Sequence, residues 1–534
     1  MMKKAIKKLL AALLAVAMVC AMAIPAFANN YWETEEDIDK NHCYDAFQIF
    51  DGVVSDDNTI SNVKWGQNIP HPEDFLPKLK ADSTLSSEFA NADSLQEVLD
   101  VMKGWTTSDD NSIAFARFVC NYIYTDANAD SKPVLQGGHT GAFEVPKPGY
   151  YLIVDTSSFS SDATGDSYHA YNSFLLKVTK AHYHIQITPK VEKPTVEKKV
   201  YDNDDNSSWG DNDGWGSSAD HAINEEFKFR LIAKLPASEG RAYDYYKKYT
   251  VCFNDTLSNG ISFDKLDTVE ITNGDGGASQ VIDAANYTLT PNDPQSFFKL
   301  SIDDVKTCVP DLNKGATITV TYTAHLNENA AVNGSAENKN SVQLQYSNNP
   351  RPDGEYWGYT PNYTPESEVY VYTYQLNNTK RQNTVDGPAL AGAGFKLYSD
   401  AECNNEVGLY QEGEFYYPIK DATGKKAVEM ISGENGQFNV KGLDAGTYYL
   451  KETITPAGYD TCDVPPVIIK ANHKGNQVDL NGSTLSTTII NKKAGGITLP
   501  STGGIGTTIF YVVGGGLMVA AIVLLVTKKR MENK

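Results

Sequence analysis

The segment GTYYLKETITPAGY, residues 446–459, decides the fold class of its region. Successive residues of a strand point to opposite faces. Tyr448, Leu450, Glu452 and Ile454 therefore share one face, and Tyr449, Lys451 and Thr453 the other. The first face is apolar and belongs inward, which carries Glu452 into a core with it. A buried carboxylate is costly unless a partner compensates it.

The same period-two alternation recurs in ATITVTYTAHL (316–326), SVQLQYS (341–347) and EVYVYTYQL (368–376), with Gly, Asn, Asp and Pro between the runs. This pattern predicts a mainly β chain of tandem immunoglobulin-like β-sandwich domains. One region departs from it. Leu95, Val98, Leu99 and Met102 have helical spacing, Ser94 and Glu97 form a capping box, and Gly104 follows. SIAFARFVCNYIY (112–124) offers a second helix, so the first domain is expected to carry inserted helices. The connector TPKVEKPTVEKK (188–199) and the Pro/Tyr/Gly-rich stretch 349–367 divide the interior into domains at 29–190, 191–369 and 370–493.

Composition narrows the function. The chain has 534 residues, 67 Asp+Glu against 46 Lys+Arg, and a formal net charge of -21. Such an acidic surface repels a phosphate backbone, so no nucleic acid is expected as a partner. The nine His show no HExxH pattern and the seven Cys no paired CxxC pattern; neither a metal nor a cofactor is expected. The acidic stretch DNDDNSSWGDNDG (202–214) lacks the glycine and terminal glutamate of an EF-hand loop and reads as a solvated turn. No Ser/His/Asp or paired-carboxylate site marks the chain as an enzyme.

The two ends fix the compartment. Residues 1–28 read as a secretory signal, with Lys3, Lys4, Lys7 and Lys8, an apolar stretch from Leu9 to Val19, and the cleavage site Ala26-Phe27-Ala28. Ile505 to Val526 is uncharged and long enough to span a bilayer as a helix, and Lys528, Lys529 and Arg530 follow it. Immediately before stand Leu499, Pro500, Ser501, Thr502 and Gly503. Motif, span and basic tail together (494–534) resemble the sorting signal of Gram-positive surface proteins. The resemblance implies that a membrane sortase cuts between Thr502 and Gly503 and holds the Thr502 carbonyl as a thioester until an amine attacks it. Loss of the four signal lysines and of the +3 tail takes the formal charge from -21 to -28.

Cys20 leaves with the signal. The other six cysteines fall two to a region: Cys43 and Cys120, Cys252 and Cys308, Cys403 and Cys462. In an exported protein one disulfide per domain is the simplest expectation, although six cysteines allow other pairings.

Alternation also sends lysine and asparagine inward. Tyr372, Tyr374 and Leu376 share a face with Lys380, and Ile489 shares one with Asn491. In the preceding region Lys198 lies with Val196 and Val200, Asp255 with Val251, Phe253 and Leu257, and Asn340 with Val342, Leu344 and Tyr346. Desolvation lowers a lysine pKa and raises that of a carboxyl, so a buried pair is expected to be neutral. Lys198 and Lys380 then become nucleophiles towards the amides of Asn340 and Asn491. Asp255 and Glu452 are the acids that promote the step. The product is an isopeptide bond.

These patterns resemble the shaft, or backbone, pilins of Gram-positive bacteria, of the SpaA type. PTVEKKV, YTVCFNDTLSNGISF and NSVQLQYSNNP are similar to their isopeptide-forming middle domain. ALAGAGFKLY, GTYYLKETITPAGY and TTIINKK are similar to the B-type domain of collagen adhesins, and YDAFQIFDG with VKWG resembles the N-terminal pilin domain. The resemblance implies a polymerising lysine in a Pro-Lys motif at the close of the first domain. YHIQITPK matches it and gives Lys190, with Thr188 where the family has Tyr; Lys193, Lys198 and Lys199 are competitors. The implied function is the major subunit of a covalently polymerised, wall-anchored pilus in which Thr502 joins Lys190 of the next subunit. Its implied partners are a pilin-polymerising sortase, a housekeeping sortase, identical subunits head-to-tail, minor tip or base pilins, and peptidoglycan. A monomeric wall-anchored adhesin is the alternative.

Overall fold

The computed structural model describes residues 43–54, 60–105, 109–125, 132–139, 142–155, 173–178, 183–186, 194–202, 213–238, 241–246, 248–291, 297–347, 362–420 and 424–495. The signal, Lys190, the sorting motif and the expected membrane span lie outside these residues, as does most of the acidic stretch 202–214. The chain is mainly β, arranged as successive sandwich domains.

In the first domain a sheet of order β2-β1-β3-β4 is formed by β1 (Cys43–Val54), β2 (Ile60–Trp65), β3 (Gly149–Asp155) and β4 (Ser173–Val178). Among the described residues, four helices lie between β2 and β3: α1 (Pro72–Ala81), α2 (Ser86–Phe89), α3 (Leu95–Met102) and α4 (Asp110–Thr125). The capping box forms as expected, Ser94 Oγ accepting from the Glu97 amide at 3.3 Å. Phe75, Phe89, Phe115, Leu99 and Met102 bury the helices against Phe47 and Phe50 of β1. Helix α1 is not among the helices expected from the sequence, and it holds Pro77 within it. Pro72 in its first turn and Glu73 and Asp74 beside it are favourable start signals.

The second domain is a two-sheet sandwich. Its strands are β5 (Thr195–Tyr201), β6 (Glu226–Leu235), β7 (Val251–Leu257), β8 (Ile261–Asn273), β9 (Phe297–Ile302), β10 (Ala316–Leu326), β11 (Lys339–Tyr346) and β12 (Ser367–Tyr372). One sheet runs β8-β10-β6-β5 and the other β12-β11-β7-β9, each extended by short strands at its edges. Alternation is clean on β6 and on most of β10, where Ala316, Ile318, Val320, Tyr322, Ala324 and Leu326 are buried. Strand β12 carries this sandwich to Tyr372, and the third domain opens after Thr373.

That domain holds β13 (Tyr374–Gln382), β14 (Gly394–Tyr398), β15 (Asn439–Leu443), β16 (Gly446–Ile454), β17 (Val467–Ile469) and β18 (Ser486–Asn491). Strands β15-β13-β18 lie in one sheet and β14-β16-β17 in the other. The first and last strands, β13 and β18, are parallel neighbours. On β16 Tyr448 and Leu450 are buried as expected, whereas Ile454 is exposed because the pairing with β14 slips at Gly394/Phe395.

The second and third domains meet closely. Ile223 N donates to Gly442 O at 2.9 Å, and Tyr374 OH donates to Asp220 Oδ2 at 2.8 Å. Gly442 has φ +88, and a Cβ there would lie 2.5 Å from Ile223 Cδ1.

Candidate functional site

Each of the last two domains buries one lysine, one carboxyl and one asparagine together. Lys198 is 2 % exposed, and Asp255, Asn340, Lys380 and Asn491 are 0 % exposed. Isolated charges at such depth would be strongly destabilising, so each group is explained by the others.

In the second domain Lys198 projects from β5, in one sheet, towards Asp255 on β7 and Asn340 on β11, in the other. Lys198 Nζ donates to Asp255 Oδ2. The ring of Phe229 lies 5.1 Å from the same nitrogen and shields it from water. Burial lowers the Lys198 pKa to about 8, against the opposing pull of Asp255. Burial likewise raises Asp255, against Lys198 and Tyr322. Both shifts run in the expected direction. Tyr322 of β10 was not anticipated. Its hydroxyl accepts from Lys198 Nζ at 3.0 Å and from Asn340 Nδ2 at 2.6 Å, and donates to Asp255 Oδ1 at 3.1 Å. Its place on the apolar face of ATITVTYTAHL was the available signal: a phenol buried there needs a polar partner.

In the third domain Lys380 Nζ donates to Asn491 Oδ1. Glu452 reaches both partners from β16 of the opposite sheet. Its Oε1 accepts from Asn491 Nδ2 at 2.7 Å and lies 3.4 Å from Lys380 Nζ. Its Oε2 accepts from the Cys462 amide at 3.1 Å and from Thr461 Oγ1 at 3.0 Å. A neutral Glu452 was expected, and the structure corrects this. Burial pushes its pKa up, but the bonds from Asn491, Lys380, Cys462 and Thr461 outweigh burial and hold it below the usual glutamate value. Glu452 thus starts as a carboxylate placed to take a proton.

The cysteine pairing within these two domains is also corrected. Cys252, Cys308, Cys403 and Cys462 are free thiols. Cys252 faces Ser301 and Gln345 in the strand register, while Cys308 ends a short 3-10 turn beside Asp304. Cys403 sits in a turn at φ +54, and Cys462 Sγ lies 3.2 Å from Lys380 Nζ, inside the lysine site. Cys120 is buried on α4, and the side chain of Cys43 lies outside the described residues.

Asp202, Asp220 and His473 also converge, with one ligand atom of each within 4.8 Å of the others. Hydrogen bonds already hold the group across the domain boundary. The Asp220 amide donates to Asp202 Oδ2 at 3.0 Å, and His473 Nδ1 meets Ser218 Oγ at 2.9 Å.

Two family models match the chain. One, a SpaA prealbumin-like fold domain, covers residues 377–484, and the other, the LPXTG cell wall anchor motif, covers 491–533. The chain is therefore a cell-wall-anchored surface protein whose last sandwich is a SpaA-type domain. Among solved structures it resembles the T6 backbone pilin of Streptococcus pyogenes serotype M6. That match is 17% identical, has a TM-score of 0.52, and covers 86% of this chain and 97% of the other. The likeness is one of fold, of β-sandwich domains in tandem. The full-length major pilin SpaD of Corynebacterium diphtheriae matches at 21% identity and TM-score 0.40, over 65% of this chain and 80% of that one. Serine-aspartate repeat-containing protein C of Staphylococcus aureus is 27% identical over 238 residues, 41% of this chain. The chain spans about a quarter (24%) of the length of these curated relatives.

Proposed function

We propose that the chain is the major structural subunit of a covalently polymerised pilus anchored to the cell wall. Sortase would join its Thr502 carbonyl to Lys190 of the neighbouring subunit, and a housekeeping sortase would pass the last subunit to peptidoglycan. Head-to-tail joining of this kind is heterologous and gives an open fibre. Within each subunit, Lys198 would bond to Asn340 and Lys380 to Asn491.

The observation that carries this reading is the recurrence of a buried Lys–carboxyl–Asn group in two successive sandwiches ahead of a wall anchor. In the third domain the chemistry follows from the contacts. The Lys380 amine attacks the Asn491 amide carbon, Glu452 Oε1 takes a proton from Nζ and returns one to Nδ2, and ammonia leaves. One amide is exchanged for another, so no cofactor is needed.

Replacing Lys190 by Ala tests the polymer. Wall extracts of the unaltered strain should give a ladder of high-mass bands that survives boiling in detergent, and the variant should give only monomer. A ladder unchanged by the substitution would remove Lys190 from the reading. The absence of any ladder from unaltered cells would favour a monomeric adhesin.

A further inference from the structure

The two lysine sites are built differently. In the third domain one carboxylate oxygen, Glu452 Oε1, serves both the attacking and the leaving nitrogen. In the second domain Asp255 is one methylene shorter. Its Oδ2 faces Lys198, but the leaving nitrogen of Asn340 is bonded to the Tyr322 hydroxyl. Asp255 Oδ1 meets that hydroxyl from the other side. The phenol closes the gap that the shorter acid leaves.

We infer that Tyr322 is a catalytic residue of the second domain, relaying a proton from Asp255 to the departing nitrogen of Asn340. This inference rests on the isopeptide reading above. The step balances as follows. Neutral Lys198 attacks the Asn340 amide carbon, giving a positively charged Nζ and a tetrahedral oxyanion. Asp255 Oδ2 takes one proton from Nζ, while the Tyr322 hydroxyl turns from Oδ1 towards Nδ2 and its oxygen accepts the proton carried on Oδ1. The Tyr322 proton passes in turn to Nδ2, the C–N bond breaks, the carbonyl re-forms, and ammonia leaves. Asp255 and Tyr322 each end with as many protons as they began.

The site is built for a relay. Tyr322 is fully buried, and its ring is fixed against Phe229, Phe298 and Phe263 at centroid distances of 5.2, 5.1 and 5.6 Å. Burial holds its pKa well above the usual phenol value. The hydroxyl therefore stays protonated and transmits a proton rather than acting as a base. Asn340 Oδ1 is buried with no hydrogen-bond partner among the described residues, so the hydroxyl orients the amide through Nδ2 alone.

The test uses Tyr322→Phe in the mature chain, since phenylalanine keeps the ring packing and removes only the hydroxyl. Freshly expressed protein is sampled over time, and both cross-linked peptides are quantified by mass spectrometry. Bond formation between Lys198 and Asn340 should slow at least ~10²-fold, as loss of a positioned proton donor does. The Lys380–Asn491 bond in the same molecules should form at the unaltered rate. That internal control, with a melting curve matching Asn340→Ala, separates loss of the relay from loss of the fold. A second-domain bond that forms at the unaltered rate in Tyr322→Phe would overturn the inference and leave the isopeptide reading standing. An unaltered chain with neither bond would overturn that reading itself.

Discussion

Lys380 and Asn491 stand on parallel neighbouring strands two residues out of register: Lys380 pairs with Ile489, and Asn491 with Gln382. A two-residue offset preserves the face, so the side chains meet although the backbones do not align. The 111-residue separation between them along the chain makes this contact a closure of nearly the whole third domain.

Glu452→Gln should leave that contact in place and abolish the bond, because the amide cannot take the lysine proton. Intact mass should then exceed that of the unaltered chain by about the 17 Da of one retained ammonia, after allowing for the substitution. Closing a loop of this length is worth about 4–5 kcal/mol in the chain-entropy account. The third domain of the variant should therefore unfold at lower denaturant concentration. A variant mass showing the ammonia already lost would rule out Glu452 as the proton acceptor.

In the second domain, Lys198 and Asp255 must hold one proton between them for the reaction, as an amine and a carboxylic acid. Burial brings Lys198 down to about 8 and lifts Asp255. Below about 8 the pair keeps that proton. Above it the proton is lost, Asp255 is left as a carboxylate with nothing to donate, and the rate should fall about tenfold per pH unit. A time course of cross-linking in freshly folded, unaltered chain at several pH values measures this. A rate that climbs steadily from pH 8 to 10 would contradict it.

Because Cys252, Cys308, Cys403 and Cys462 are free, alkylation of unfolded protein without reductant should label all four. In the folded protein Cys252 should resist, since burial pushes its thiol up to about 11. Reductant should leave the melting of the last two domains unchanged. A reductant-sensitive transition there would restore the disulfides.

Gly442→Ala should loosen the joint between the second and third domains. A Cβ would strike Ile223, and φ +88 is left-handed backbone that alanine adopts at a cost of about 1–2 kcal/mol. Limited proteolysis should cut the variant faster near Thr373, while both cross-links form normally. Unchanged cleavage would mean that this contact does not hold the domains together.

Much of this was legible in the sequence because strand alternation is a local signal. It turned Lys198, Asp255, Asn340, Lys380, Glu452 and Asn491 inward, and each is buried where alternation put it. It failed at Ile454, where a slip in strand pairing, set by the partner strand, reverses exposure. The charge state of Glu452 was not legible either, since it depends on Thr461 and the Cys462 amide from a later loop. Tyr322 was missed because a tyrosine on an apolar face reads as core until its neighbours across the sandwich are known. The cysteines misled for the same reason: two per region is a count, and pairing is a matter of distance.

The parallel placement of β13 beside β18 has a mechanical consequence. Once Lys380 and Asn491 are joined, tension entering the third domain along its first strand leaves through its last without crossing the residues between them. Fully extended, those residues would add roughly 360–400 Å to the chain. That slack would be locked out of the force path, and the third domain so joined would keep its length under tension until a covalent bond breaks.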